Sequence, residues 1–151
     1  MAEEKVVKMA VTALKEGTVI DHVPAGQVFK VVDVMNLYEY KKALRIGMYL
    51  DSKTYGKKDI LKIEDRYLTQ DEANMIALIA PNATINIIKD WKVAKKIQVS
   101  VPDVVTGLRC GNPRCITRYD KIKTVFSVLD KKTLKVRCHY CEHVFGKEEV
   151  I

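Results

Sequence analysis

The chain has 151 residues, 48% apolar and 30% charged, a balance that excludes a disordered, collagen-like or low-complexity protein. The longest uncharged run, residues 73–88, contains Asn74, Pro81, Asn82, Thr84 and Asn86, and is too short and too polar for a membrane span of roughly 20 apolar residues. The net charge of +7 is uneven, with 16 basic and 14 acidic side chains in residues 1–103 against 10 and 5 in residues 104–151, so both an anionic partner and a solvated lysine-rich surface fit it.

The opening Met-Ala-Glu-Glu-Lys lacks the apolar core and cleavage site of a secretory signal, which predicts a cytoplasmic protein. Residues 6–11 and 18–23 are short β-branched runs flanking a loop with Gly17. After Pro24-Ala25-Gly26, the spacing of Val28, Val31, Val32 and Met35 predicts a helix. Leu44, Ile46, Met48 and Leu50 alternate with Arg45, Gly47 and Tyr49, as in a half-buried strand. A turn over residues 51–57 leads to a strand over 59–64. Thr69-Gln70-Asp71-Glu72 is a capping box opening a second helix that Pro81 ends. Residues 84–88 and 91–97 complete the set as strands around a turn at Lys89-Asp90.

From Thr18 onward the order is strand, helix, strand, strand, helix, strand. That predicts an α+β chain with a ferredoxin-like domain over residues 1–100, followed by a small β-rich zinc ribbon over residues 104–151. The fold does not decide the function. No phosphate-binding glycine loop, nucleophile elbow or H-E-x-x-H motif is present, so the sequence makes no positive case for an enzyme.

Two features carry chemistry. On the strand over residues 59–64, Leu61 and Ile63 point to one face, and Lys58, Ile60 and Lys62 to the other. Thr84, Asn86 and Ile88 alternate against Ile85 and Ile87 in the same way. One sheet face thus gathers Lys58, Ile60, Lys62, Asn86 and Ile88, with Trp91 and Val93 at its flank. Ammonium groups, an amide and apolar side chains suit a nucleotide. A solvent face dressed with lysines is the plainer alternative.

The second feature is the cysteines. Cys110 and Cys115 form C-x4-C, and Cys138 and Cys141 form C-x2-C after 22 residues. Two close pairs on separate turns predict one tetrahedral, structural zinc with no open position. Disulfides would need an oxidising compartment that nothing here indicates.

Several blocks resemble one family. They are the residues Gly17-Thr18-Val19-Ile20-Asp21-His22-Val23-Pro24-Ala25, the residues 56–64 with Lys57-Lys58-Asp59, the residues Ala80-Pro81-Asn82-Ala83-Thr84-Ile85-Asn86, and the cysteine pattern closed by Glu142. In these blocks, in this order, the chain resembles the regulatory chain of aspartate carbamoyltransferase from about Val6 to its C-terminus. The resemblance implies a non-catalytic subunit. An N-terminal allosteric domain would bind CTP as inhibitor and ATP as activator, with magnesium accompanying the triphosphate. A C-terminal zinc domain would dock on the catalytic chain. Two such chains would pair through their N-terminal domains. Three of these dimers would join two catalytic trimers in a dodecamer, with no nucleic acid and no membrane involved.

The resemblance also assigns residues. Val11, Thr12, Ala13 and Leu14 fall on the segment that reads the base, Asp21 lies near the ribose, and Lys62 and Lys96 hold the nucleotide with Lys58 as a third base. Val19, His22, Ile60, Asn86, Trp91 and Val93 line the remainder. Asn112, Arg114 and Glu142 fall at the catalytic-chain interface. Lys96 has the wrong parity to share a face with Val93 unless a bulge intervenes. Trp91 replaces a common tyrosine, Thr12 an acidic residue, and Arg114 an asparagine. Two other readings use the same residues. One is a nucleic-acid-binding ribbon, with Tyr119 among Arg118, Lys121 and Lys123. The other is a stand-alone nucleotide sensor.

Overall fold

The structure is a computed structural model that describes residues 14–151. The strand expected over residues 6–11 and the residues Val11, Thr12 and Ala13 lie outside the described residues. The chain divides into two compact units between Ser100 and Val101.

The first unit contains β1 (Gly17–Pro24), α1 (Val28–Val34), a short 3-10 turn (Leu37–Glu39), β2 (Leu44–Ser52), β3 (Gly56–Glu64), α2 (Gln70–Ile79), β4 (Thr84–Lys89) and β5 (Lys92–Gln98). One antiparallel sheet runs in the order β2-β3-β1-β4-β5. The first four strands follow the ferredoxin-like arrangement, and β5 extends it outside β4. β1 opens at a glycine for a steric reason. Gly17 has φ +140°, and a Cβ there would lie 2.1 Å from the Ile63 carbonyl oxygen.

The helices are fixed by local chemistry. In α2, the Glu72 N–H donates to Thr69 Oγ1 at 3.3 Å, and the Thr69 N–H donates to the Glu72 carboxylate at 3.2 Å. This capping box satisfies two groups that the first turn leaves unpaired. Ala73, Ile76, Ala77 and Ile79 are buried. In α1 the buried stripe is Val28, Val31 and Val32, and its first N–H is held from the sheet. The fully buried Asp59 accepts the Val28 N–H at 3.1 Å through Oδ2 and the Tyr49 N–H at 3.0 Å through Oδ1. Ile20, Val23, Leu61, Ile63 and Ile85 form the core on that side of the sheet.

The opposite face departs from the expectation of a lysine-dressed solvent surface. Leu14, Val19, Ile60 and Ile88 form a second buried cluster, against which Leu50 packs. Leu50 reaches it because β2 breaks its alternation. The β2–β3 register shifts between Gly47 and Leu50, where Tyr49 takes φ +54°. A bulge of this kind exchanges the faces of the residues beyond it, so Leu50 leaves the side that strict alternation from Leu44 would assign.

The second unit contains β6 (Val104–Thr106), a 3-10 turn (Ile116–Arg118), β7 (Val125–Asp130), β8 (Lys135–Cys138), β9 (Val144–Gly146) and a final turn α3 (Lys147–Val150). Its antiparallel sheet has the order β6-β7-β8-β9. Val105, Leu108, Phe126, Val136, Phe145 and Val150 make a small core. Among the described residues no helix is long and apolar enough to cross a membrane.

Candidate functional site

One row of residues crosses the whole first sheet. Arg45 on β2 pairs with Lys62 on β3, Lys62 with Val19 on β1, Val19 with Asn86 on β4, and Asn86 with Lys96 on β5. Residues paired directly across antiparallel strands project to the same face. Lys62, Val19, Asn86 and Lys96 are thus brought together. A register shift in the β4–β5 pairing, with Ile87 opposite Lys95 and Ile88 opposite Val93, inserts one extra residue at Ala94. That bulge lets Val93 and Lys96 share a face despite their opposite parity.

The floor beside the row is the apolar cluster containing Leu14, Val19, Ile60 and Ile88. Lys58 Nζ and Asp21 make an ion pair at 2.9 Å, with each side chain only 20% exposed. Asp21 Oδ1 also accepts the His22 N–H at 2.7 Å. The His22 ring lies 3.4 Å from Thr84 Oγ1 and edge-on to Tyr55, with centroids 5.9 Å apart. A cleft of about 460 Å³ opens between His22, Tyr55, Lys57 and Asn82.

Lys62 is the electrostatic centre of this face. Its residue is 2% exposed, and among the described residues its Nζ has no hydrogen-bond partner. Burial, and secondly the positive Arg45 beside it, hold its pKa below the ordinary lysine value. A buried ammonium without a partner is costly, so the site favours an anion there.

Trp91 sits differently from the expectation. It precedes β5 in a tight turn where Asp90 and Trp91 both have positive φ, 51° and 67°. Such a turn usually contains Asn-Gly. Here the Asp90 N–H donates to Glu16 Oε1 and the Trp91 N–H to the Lys15 carbonyl, each at 3.0 Å. Glu16 is itself gripped by the Tyr67 hydroxyl, 2.5 Å from Oε2. Trp91 and Val93 are 63% and 59% exposed.

The second unit gathers its four cysteines. The sulfurs of Cys110, Cys115, Cys138 and Cys141 all lie within 4.8 Å of one another. Cys110 and Cys141 are 3.7 Å apart, and Cys115 and Cys138 are 3.8 Å apart. These distances are far too long for disulfides, whose sulfurs bond at about 2.05 Å. They match the edge of a sulfur tetrahedron around zinc, about 3.8 Å for Zn–S bonds of about 2.3 Å. Burial pushes the Cys110 thiol up to about 12. At Cys141 burial is outweighed by the His143 backbone N–H and the Asn112 amide, which bring the thiol down to about 6. A divalent cation lets all four be thiolates at once.

Two knuckles build this centre. Asn112 Oδ1 accepts the Arg114 N–H and its carbonyl accepts the Cys115 N–H, each at 3.0 Å. In the second knuckle Glu142 has φ +61°, and its N–H donates to the Cys138 carbonyl at 2.9 Å. Asn112 thus shapes the metal loop, while the Arg114 and Glu142 side chains are exposed. His143 contacts the Asn112 amide at 3.4 Å.

Sequence reasoning missed Arg45 and Leu50. Arg45 enters the site through β2–β3 register, and Leu50 through the β2 bulge. Neither is visible in the periodicity of a single strand.

Comparison with known proteins divides the chain at the same place. Residues 9–100 match the family described as aspartate carbamoyltransferase regulatory chain, allosteric domain. Residues 101–151 match the metal binding domain of the same regulatory chain. The chain is 50% identical over 147 residues to the aspartate carbamoyltransferase regulatory chain of Pyrococcus abyssi, covering 95% of this chain and 97% of that one. It is 49% identical to that of Pyrococcus furiosus over the same coverage. It is 41% identical to that of Parabacteroides distasonis over 152 residues, covering 100% of this chain and 99% of that one.

Proposed function

Because the chain belongs to the family of aspartate carbamoyltransferase regulatory chains, it is a non-catalytic regulatory subunit, and we propose that its first sheet binds the nucleotide effectors. CTP acts as inhibitor and ATP as activator, with magnesium accompanying the triphosphate. The observation that carries this reading is the buried Lys62 ammonium, without a partner among the described residues, beside the apolar floor of Val19, Ile60 and Ile88. Lys62 and Lys96 meet the anionic part of the ligand, Asp21 and His22 the ribose, and Asn86 a polar edge. Val11, Thr12, Ala13 and Leu14 read the base, and Trp91 and Val93 flank it.

The second unit holds one structural zinc through Cys110, Cys115, Cys138 and Cys141. Four protein ligands leave no position for substrate or reactive water. The folded knuckles then present Asn112, Arg114 and Glu142 to the catalytic chain. Two regulatory chains pair through their nucleotide domains, and three such dimers join two catalytic trimers in the cytoplasm. Control requires each nucleotide to bind the two assembly states unequally, because equal affinity shifts nothing. Coupling free energies are typically about 1–3 kcal/mol.

The single tryptophan provides the test. CTP and ATP are titrated into the wild type and Lys96→Ala, with Trp91 excited at its red edge and calorimetry on the same samples. A saturable signal, competition between the two nucleotides and weaker binding in the variant are expected. Neither fluorescence change nor heat in the wild type would sink the nucleotide site.

A further inference from the structure

The wider of the two metal knuckles is held by the turn that follows it. Four residues separate Cys110 from Cys115, against two between Cys138 and Cys141, so the first loop needs more closing than the second. The 3-10 turn Ile116–Arg118 begins directly after Cys115, and the Arg118 N–H donates to the Cys115 carbonyl at 2.9 Å. Two consecutive side chains of this turn then reach back to the two ligands. Thr117 Oγ1 lies 3.1 Å from Cys115 Sγ, and Arg118 Nη1 donates to the Cys110 carbonyl at 2.8 Å. Both residues are half-buried, whereas Tyr119, the next in the chain, is 74% exposed. Arg118 is thus turned toward the knuckle and Tyr119 away from it.

The chemistry of a loaded site gives these contacts a direction. Zinc is held by thiolates, and a thiolate sulfur has no proton to give. The Thr117 hydroxyl must therefore donate and Cys115 accept. Four thiolates around one divalent cation leave a centre with net negative charge, and Cys110, Cys115 and Cys138 are almost wholly buried. A buried anionic centre is costly unless donors and cations surround it. Thr117 supplies a hydroxyl to one sulfur. Arg118 fixes a guanidinium on the backbone of another ligand, and among the described residues it makes no ion pair with a carboxylate that would cancel its charge.

We propose that Thr117 and Arg118 are positioning residues of the metal centre. Thr117 donates to the Cys115 thiolate, Arg118 closes the Cys110–Cys115 knuckle and offsets its negative charge, and together they set how tightly zinc is retained. The inference rests on the zinc reading given above and carries it from the four ligands to the groups that hold them. Outer partners of this kind are typically worth about 10–100-fold in metal affinity.

The test uses the full-length chain, loaded with zinc or with cobalt(II). Zinc release to a chromogenic chelator, cobalt affinity and the cobalt spectrum are measured for the wild type, Thr117→Val, Thr117→Ser, Arg118→Met and Arg118→Lys. Thr117→Val keeps the shape of the side chain and loses the hydroxyl. It is expected to bind metal about tenfold more weakly. Its sulfur-to-cobalt charge-transfer band should also move to longer wavelength, because a hydrogen bond to sulfur lowers the energy of the electrons that the transition moves. Thr117→Ser should restore both. Arg118→Met is expected to release zinc about tenfold faster, and Arg118→Lys should recover part of the loss, since it keeps the charge without the planar fork. A Thr117→Val chain that takes up no metal while Thr117→Ser does is the same result in its extreme form. Unchanged affinity and an unshifted band in Thr117→Val, or an equal loss in Thr117→Ser, overturn the role of Thr117. Release from Arg118→Met at the wild-type rate, or from Arg118→Lys as fast as from Arg118→Met, overturns that of Arg118. A wild type that takes up neither metal removes the zinc reading as well.

Discussion

Lys62 sets the balance between stability and binding at the level of one side chain. Its folded-state pKa lies below the usual 10.5, chiefly through burial. The charged form is therefore disfavoured in the folded chain. Lys62→Met is expected to stabilise the ligand-free first unit by roughly 1–2 kcal/mol, since an apolar side chain replaces an unpaired buried cation. The same change should weaken CTP by tenfold or more, the cost of a lost charge-assisted contact being about 1.5–3 kcal/mol. Denaturant melts with and without CTP check both directions. The pH dependence follows from the sign of the shift. Between the lowered folded pKa and the unfolded value of 10.5, the unfolded chain binds more protons at this position, so stability from this group rises with pH. Nucleotide binding moves the opposite way and weakens as Lys62 loses its charge. The stability trend should vanish in Lys62→Met and the binding trend should flatten, which separates Lys62 from Arg45, Lys58 and Lys96 on the same face.

Among the elements, the sheet depends on interruptions as much as on its regular ladders. Asp59 shows how one carboxylate ties several pieces together, because it accepts the first N–H of α1 and the N–H of Tyr49 in the β2 bulge. An amide at that position would turn a donor group toward one of those donors. Asp59→Asn is expected to cost about 1–3 kcal/mol, the penalty for a buried unsatisfied group, and to loosen α1 and the bulge together. Hydrogen exchange at Val28 and Tyr49 reads this directly. These interruptions also decide what the sequence reveals. The face shared by Ile60 and Lys62 is legible because strand alternation is local, and the Thr69 capping box because its partners are three residues apart. Arg45 is not legible, since its neighbour Lys62 is chosen by non-local pairing. Leu50 and Lys96 each depend on an extra residue that shifts register, and nothing in their own strands marks where it falls. The cysteine cluster is the opposite case, because ligand chemistry alone specifies it.

For the whole molecule, the two units rest on different sources of stability. The described residues 14–100 have buried clusters on both faces of a five-stranded sheet. Residues 101–151 have a four-stranded sheet and a thin core around the four sulfurs, a size at which metal normally supplies much of the folding free energy. Stripping zinc with a strong chelator should therefore unfold the second unit, release the catalytic chains and leave the nucleotide site titratable. Circular dichroism, sizing and CTP calorimetry on one sample follow the three effects. An assembly that stays intact after complete zinc removal would refute the docking role. The unpartnered Lys62 ammonium has a practical consequence at this scale as well. With effectors bound at Lys62 as proposed, any small oxyanion that reaches it competes, so phosphate- or sulfate-containing solutions are expected to offer the subunit a counterfeit effector. Two laboratories working at the same ionic strength, one in phosphate and one in a zwitterionic buffer, would then measure different apparent sensitivities for the same protein.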